Sequence, residues 1–503
     1  MKRLAVFLIA LAAAAAAYAQ QVPIPQGADL VDDFGDWSLT LFFDFSGGYD
    51  ENLIVNGGGG LQYFGENFAL TAEAYLRKDD VYSGTSANTA SGGMGGLYFW
   101  MESGGIAYRI GNLFLRAGRL PHYDYVDSPY SLFVNGDGLT ADLLEAVYDD
   151  GRFLYSTRWI GLNHNSDAVT TVYDDYTGVP GIDYDNTGFP ERGANLHTFA
   201  ARFGDMTFGI QDAIIYVNRY FDFEYFISPI PAYIIQDALR QGGRPWTASG
   251  EENNIVGIFW TWDRPDGWKL NAQWLLDDGN LHWLAPSLFP TNQPNKIAWT
   301  AGASKETPYG RFSFYHAGAT KYTFEPSYGQ PGREYGYAYF PDVVFRLKGS
   351  VTDTAIPFET MMLGYRNGEN NLAFLGAWNG EAAGFGLGAT LEFTVSGSKS
   401  PANAWQEYNY NPDNGTEFLN ESPLEWKVVA AVGATRRVWK LDLYAGVALG
   451  YVLNELELVA SGEVADGTYT IDPYNEIQIW RPSNTDRFLW AATVGGRYRI
   501  KIK

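Results

Sequence analysis

The chain has 503 residues, 35 Lys and Arg against 58 Asp and Glu, a net charge of −23, and no Cys. Its 16 Trp, 34 Tyr and 31 Phe argue against disorder, and the acidic excess argues against a nucleic-acid partner, which calls for a basic face. Without Cys there is no disulfide framework, thiolate zinc site or cysteine nucleophile.

Residues 1–19 read as a signal peptide. Lys2 and Arg3 precede an unbroken apolar run from Leu4 to Ala17, and Ala17-Tyr18-Ala19 fits a small-x-small cleavage site. After a short segment, 20–36, the pattern changes to period two. Trp37, Leu39, Leu41, Phe43 and Phe45 alternate with Ser38, Thr40 and Asp44. Phe68, Leu70, Ala72, Ala74 and Leu76 alternate with Thr71, Glu73, Tyr75 and Arg77. Trp268, Leu270, Ala272, Trp274 and Leu276 stand opposite Lys269, Asn271 and Gln273. From Trp439 to Tyr451 the odd positions are apolar or small, facing away from Lys440, Asp442 and Tyr444. The last segment sets Phe488, Trp490, Val494, Tyr498, Ile500 and Ile502 against Arg497, Arg499 and Lys501. Such alternation is a strand with one oily and one wet face. At about 9 to 13 residues the segments exceed ordinary soluble strands and suit a tilted membrane crossing. Trp37, Phe45, Trp268, Trp274, Trp439, Tyr451, Trp490 and Tyr498 are expected in aromatic girdles at the two interfaces.

Turn chemistry recurs between the segments. Short connections are expected at 65–67, 111–112, 149–151, 204–205, 264–267, 307–310, Asn379-Gly380 and Arg436-Arg437. Long polar connections alternate with them, at 78–93, 120–138, 161–195, 217–253, 277–295, 319–336, 397–425 and 453–486. Twenty candidate strands result, 337–347 and 356–365 among the weakest, and about 16 to 20 is the expected range. The fold class is all-β: a single closed antiparallel transmembrane barrel over residues 37–503. Closure follows because hydrocarbon leaves no backbone group unpaired and a barrel has no edge.

Exported chain, aromatic-capped strands, alternating short and long connections and a final amphipathic strand together resemble porin-like outer-membrane proteins of diderm bacteria. The resemblance covers nearly the whole mature chain and rests on architecture, with no residue motif that singles out one family. It implies a cell-outer-membrane location, short periplasmic turns, a periplasmic 20–36 segment and long external loops. It also implies outer-membrane lipids and the barrel-assembly machinery as partners, the latter recognising a terminal aromatic. Here the chain ends Tyr498-Arg499-Ile500-Lys501-Ile502-Lys503, a departure that leaves Tyr498 for that part. The function implied is passive diffusion of small hydrophilic solutes, ions or sugars, as a monomer or a homo-oligomer. The alternative is a plugged barrel used for surface binding or adhesion through its loops.

The five His (His122, His164, His197, His282, His316) are scattered without metal-ligand spacing, and no nucleophile motif accompanies them. No metal, cofactor or catalytic residue is read from the chain. Gly57 to Gly60 lacks the Lys-Ser/Thr of a phosphate loop and instead lets a strand bend or a plug lie close. The richest stretch is Arg116, Arg119, Tyr123, Asp124, Tyr125, Asp127 and Tyr130. Two readings stand: a lumenal constriction with a transverse field and stacking rings, or an external loop packed on its neighbours. The lumen-facing set is expected to include Lys269, Asn271, Gln273, Lys440, Asp442, Tyr444, Arg497 and Arg499. The acidic loop 161–195 reads as a solvated surface or as a cation-attracting one. Ser228 to Arg240 reads as a short helix, a plug or a surface binding element.

Overall fold

Along Ser38–Asp50 the two expected faces separate. Phe43 and Phe45 are exposed on one side, while Phe42 and Asp44 are enclosed on the other. The same division runs through most of the long strands of the computed structural model, which describes residues 37–50, 52–78, 97–137, 139–166, 168–169, 190–241, 252–277, 295–325, 335–340, 344–347, 353–355, 358–400, 416–460 and 478–502. The signal peptide and the 20–36 segment lie outside the described residues, as does most of the acidic loop 161–195.

Eighteen strands form the wall. In chain order they are β1 (Ser38–Asp50), β2 (Asn52–Phe64), β3 (Phe68–Lys78), β4 (Tyr98–Ile110), β5 (Leu113–Pro121) and β6 (Thr140–Asp149). Next come β7 (Phe153–Asn163), β8 (Arg192–Phe203), β9 (Met206–Val217), β10 (Glu252–Asp263), β11 (Trp268–Leu276) and β12 (Ile297–Thr307). The last six are β13 (Gly310–Ala319), β14 (Asn371–Ala382), β15 (Phe385–Ser396), β16 (Glu425–Val438), β17 (Leu441–Leu453) and β18 (Arg487–Ile502). Each pairs antiparallel with its sequence neighbours, and β18 returns to β1, Leu39 facing Ile502. The barrel is closed. Its strand spacing and tilt imply a diameter of roughly 35 Å, too wide for wall side chains alone to fill.

The number lies inside the expected range, and the two strands that disappear are instructive. The described residues of 337–347 and 358–365 are not in the wall, Val344–Leu347 pairing instead with Asp353–Ala355 in a small separate sheet, and β13 pairs directly with β14. Tyr337, Ala338, Met361, Met362, Leu363 and Tyr365 are buried inside the barrel instead. They looked strand-like because an interior core selects the same residues as a wall. Two turns also move. Asn379 and Gly380 sit within β14, and the reversal comes at Ala383-Gly384, both with positive φ. Arg436 and Arg437 continue β16, and the turn is Trp439-Lys440, with Trp439 at φ 58°.

Both ends of the barrel chain and the other short turns share one rim; the long connections share the other, together with the tight β1–β2 reversal at which Asp50 pairs with Asn52. Outward aromatics mark both rims, with Trp37, Phe68, Trp268 and Trp439 at the first and Tyr49, Phe99, Tyr451 and Trp490 at the second. Tyr49 stacks on Trp490 with ring centres 4.8 Å apart, and Trp439 leans on Tyr498 at 5.9 Å. Trp274, outward and exposed, lies toward the second rim. Phe45 is outward but mid-strand, so Tyr49 takes the girdle position on β1. Glycines 57–60 belong to β2. A Cβ at Gly58 would strike Tyr75, and one at Gly60 would strike Phe42 and Glu73. Their bareness lets lumenal side chains of the adjacent strands lie over β2, and among the described residues those side chains, not a plug, lie closest.

Candidate functional site

The connection after β5 folds into the barrel. Its base is fixed by three charged residues on adjacent strands: Glu145 of β6 accepts from Arg116 of β5 and from Arg158 of β7, the latter at 2.7 Å from Nε. All three are at least nine-tenths buried. Their spare donors hold the loop, Arg116 Nη1 to the Pro121 carbonyl (3.1 Å) and Arg158 Nη1 to that of Tyr123 (3.0 Å). Arg116 is therefore an anchor and not a free lumenal charge. His122 follows, buried, its Nε2 2.5 Å from the Tyr339 hydroxyl. Burial and the two nearby guanidiniums hold its pKa well below the usual histidine range.

From there the loop crosses the lumen. Asp124 accepts from Gln211 of β9 (2.6 Å) and Gln273 of β11 (2.9 Å). Asn271 of β11 donates to the Asp127 carbonyl (2.9 Å), and Ser128 reaches Thr300 of β12 (3.3 Å). Tyr130 donates to Glu392 of β15 at 2.5 Å. β15 lies ten strands from β5 in a ring of eighteen, so the loop reaches the facing wall. Arg366 completes the far anchor, bonded to Glu392 (2.5 Å) and Asp137 (3.2 Å), with its guanidinium 5.2 Å from the Tyr130 ring.

A second inward connection, between β13 and β14, packs on the first. Tyr337 donates to the Phe133 carbonyl (2.7 Å), and Asn135 N donates to that of Leu363 (2.6 Å). Arg192 of β8, fully buried, holds the carbonyls of Gly336 (2.9 Å) and Ala338 (3.1 Å). Between the loops and the wall lies a dry core of Tyr130, Leu132, Phe133, Phe324, Tyr337 and Tyr365. The wall supplies Ala141, Ala194, Ala213, Ala298, Ala317 and Ala373, small residues that let the loops come close.

The remaining wall is wet. Arg497 of β18 grips Asp44 of β1 with two 2.6 Å bonds, and Tyr75 adds a third at 2.7 Å. Arg77 pairs with Glu102 at 2.5 Å, and about a quarter of each side chain stays exposed (25% and 28%). Glu102 points inward because a β-bulge in β4 faces it into the lumen, where Trp100 also donates to it (3.0 Å). Arg499 and Asp442 pair at 3.0 Å.

Of the seven candidate constriction residues, Arg116, Asp124 and Tyr130 are held in contacts. Tyr123 and Tyr125 are half-buried beside the β7 anchor, and Arg119 fills the notch where β4 and β5 part, 4.9 Å from the Trp100 ring. Only Asp127 is exposed, and its cation is Arg311 of β13 at 3.2 Å. The alternation Arg311, Ser313, Tyr315 against Phe312, Phe314 was the available signal for Arg311. In the expected lumenal set, Lys269, Asn271, Gln273, Asp442, Tyr444, Arg497 and Arg499 occupy inward positions of β11, β17 and β18. Lys440 does not: it lies in the turn, its ammonium 5.3 Å from the Trp439 ring. Among the described residues no group of three or more His, Asp or Glu is arranged for a metal ion.

No protein-family model matches the chain, and no curated relative does. Solved structures resemble it at low identity. Wzi of Escherichia coli, a carbohydrate-binding β-barrel involved in group 1 capsule assembly, is 10% identical with a TM-score of 0.48, covering 97% of this chain and 87% of its own. OccAB2 of Acinetobacter baumannii is 12% identical with a TM-score of 0.44, covering 93% and 99%. OprD of Pseudomonas aeruginosa is 9% identical with a TM-score of 0.42, covering 95% and 99%. Likenesses of that order carry no argument about what this barrel does, and its own geometry has to.

Proposed function

We propose that the barrel spans the outer membrane and lets small hydrophilic solutes cross down their gradients, through a lumen narrowed by the 122–139 connection. The closed wall with an apolar exterior and two aromatic rims suits a bilayer. One observation carries the channel reading: inward charge stays partly exposed around the lumen, at Arg77–Glu102 and Arg499–Asp442 on one side, at Arg202–Asp149 and Lys269–Asp263 on the other, and at Asp127–Arg311 where the loop meets β13. Such contact pairs, with an edge left open to water, give the passage a polar, charged lining that keeps it hydrated and favours polar solutes. Ions and sugar-sized molecules fit such a lining; fatty acids do not. No catalytic step is assigned.

The dry core between the loops favours a second reading, a plugged barrel whose long connections bind something outside. Liposome swelling separates the two. Size-dependent swelling in a series of sugars supports the channel, and absence of swelling in correctly inserted protein supports the platform.

A further inference from the structure

One patch of the outer wall is polar where lipid is expected. On β9 the outward row reads Met206, Phe208, Ile210, Asp212, Ile214, Tyr216, a carboxylate in an oily series. Opposite it on β8 stand His197 and Asn195, and beyond them on β7 Thr157. His197 Nδ1 lies 3.1 Å from Asp212, and Tyr216 donates to Asn195 at 2.9 Å. All of these residues are buried, yet not by the wall.

What covers them is the connection after β9, which turns back down the outside of the barrel. Its helices are α1 (Phe223–Ile227) and α2 (Ala232–Gln241). Asp222 caps α1 by accepting from Glu224 N and Tyr225 N. The carbonyl of Tyr225 meets His197 Nε2 at 2.7 Å, and that of Phe226 accepts from Thr157 at 2.7 Å. Trp159 donates to the Tyr220 carbonyl (2.8 Å), and Ala232 N donates to Asp212. Tyr225, Ala232 and Ile235 pack inward on Ile214 and Tyr216. The expected helix at 228–240 is thus real over Ala232–Gln241, and it is an external element and not a plug.

The opposite face of this cover is oily. Phe223 is 66% exposed, Tyr233 62%, and Ile227, Ile230 and Ile234 are exposed with them. Directly below, toward the short-turn rim, Phe208, Ile210 and Ile258 form the bare apolar exterior of β9 and β10. The two surfaces are continuous. We infer that the α1–α2 segment is seated in the outer leaflet, its exposed side chains in lipid hydrocarbon and its backbone and buried face satisfying the polar patch of β7–β9. The physical need is plain: an uncovered Asp212 and His197 at that depth would face hydrocarbon with only each other as partners, and the sheath satisfies their remaining polar atoms and covers them with an apolar surface. This rests on the outer-membrane reading, and lipid is the one occupant proposed.

The absence of Cys makes a direct test clean. Single variants Phe223→Cys, Ile230→Cys and Tyr233→Cys would carry a nitroxide in phosphatidylethanolamine/phosphatidylglycerol vesicles, with Ile210→Cys on the bare wall and Asn420→Cys in a long connection as references. The readout is nitroxide collision with oxygen relative to a water-soluble nickel chelate. The expected ratio at the three sheath sites matches Ile210 and stands several-fold above Asn420. Sheath sites that match Asn420 while Ile210 stays oily overturn the inference and leave the barrel in its membrane. A water-exposed Ile210 overturns the membrane reading itself, and the inference with it. Low access to both reagents with spin–spin broadening assigns the surface to a second copy of the chain, which also overturns lipid as its occupant.

Discussion

The two sectors of the lumen are built on opposite principles. Across β6 to β14 the inward positions nearest the long connections are mostly Ala, Ile or Leu, and two loops press on them until water is gone. Across β1 to β4, β17 and β18 the inward positions carry ion pairs, two of them still partly wetted. The same alternation of side chains generates both, since only the far face of each strand must be oily. Loops come to rest where the inward residues are small; charges keep the rest hydrated.

The largest effect should come from breaking the anchor on which the dry sector depends. Glu145→Gln leaves Arg116 and Arg158 buried with one weak partner, and a loss of about 3–5 kcal/mol is expected for an uncompensated buried charge. Urea unfolding of the refolded barrel would show it, and an unchanged midpoint would remove the triad from its structural role. Replacing 123–137 by a short Gly-Ser turn should next raise single-channel conductance several-fold, by erasing the contrast between sectors. Unaltered conductance would mean that ions do not pass beside this loop.

A smaller, pH-dependent effect is expected in the second inward connection. Glu325 and Glu369 are buried together, near Lys296, Lys321 and Asp277, and burial raises the pKa of both above the usual carboxylate range. The folded state then holds more protons than the unfolded chain above the ordinary carboxylate pKa, so stability falls as pH rises from there through the raised values. Hydrogen exchange of residues 320–325 and 358–370 should accelerate across that interval. In Glu325→Gln/Glu369→Gln the acceleration should vanish; its persistence would place the titration elsewhere. The smallest effect is Asp127→Asn, which keeps the Asn271 bond to its carbonyl and removes one exposed charge. Cation preference should fall by about twofold or less in reversal-potential measurements, as befits a solvated pair. No change would take the Asp127–Arg311 edge out of the conduction path.

How far the sequence could be read follows from what each signal senses. Period two reports one oily face per strand, and it located the wall from Trp37 to Ile502 with its rims. It could not tell a strand from interior packing, so 337–347 and 356–365 were drawn into the wall. The Asn-Gly pair at 379–380 was the better turn by chemistry and lost to register, because β14 must run on to match Arg311 with Asn379. For the constriction, the composition around Asp124 and Asp127 was visible. Their partners Gln211, Gln273 and Arg311, and Glu392 for Tyr130, are up to 262 residues away in the chain and could not be. Asp212 in its oily row was a legible anomaly whose explanation needed the segment that covers it.

By itself the order of residues determined that the strands carry one mostly apolar face and that the sheet closes, because the alternation is local and a closed sheet leaves no edge unpaired. Only the tertiary structure decided which sector of the lumen is dry, which charges meet there and which helix lies outside, because those depend on where the connections come to rest, on strands and loops remote from them in the chain.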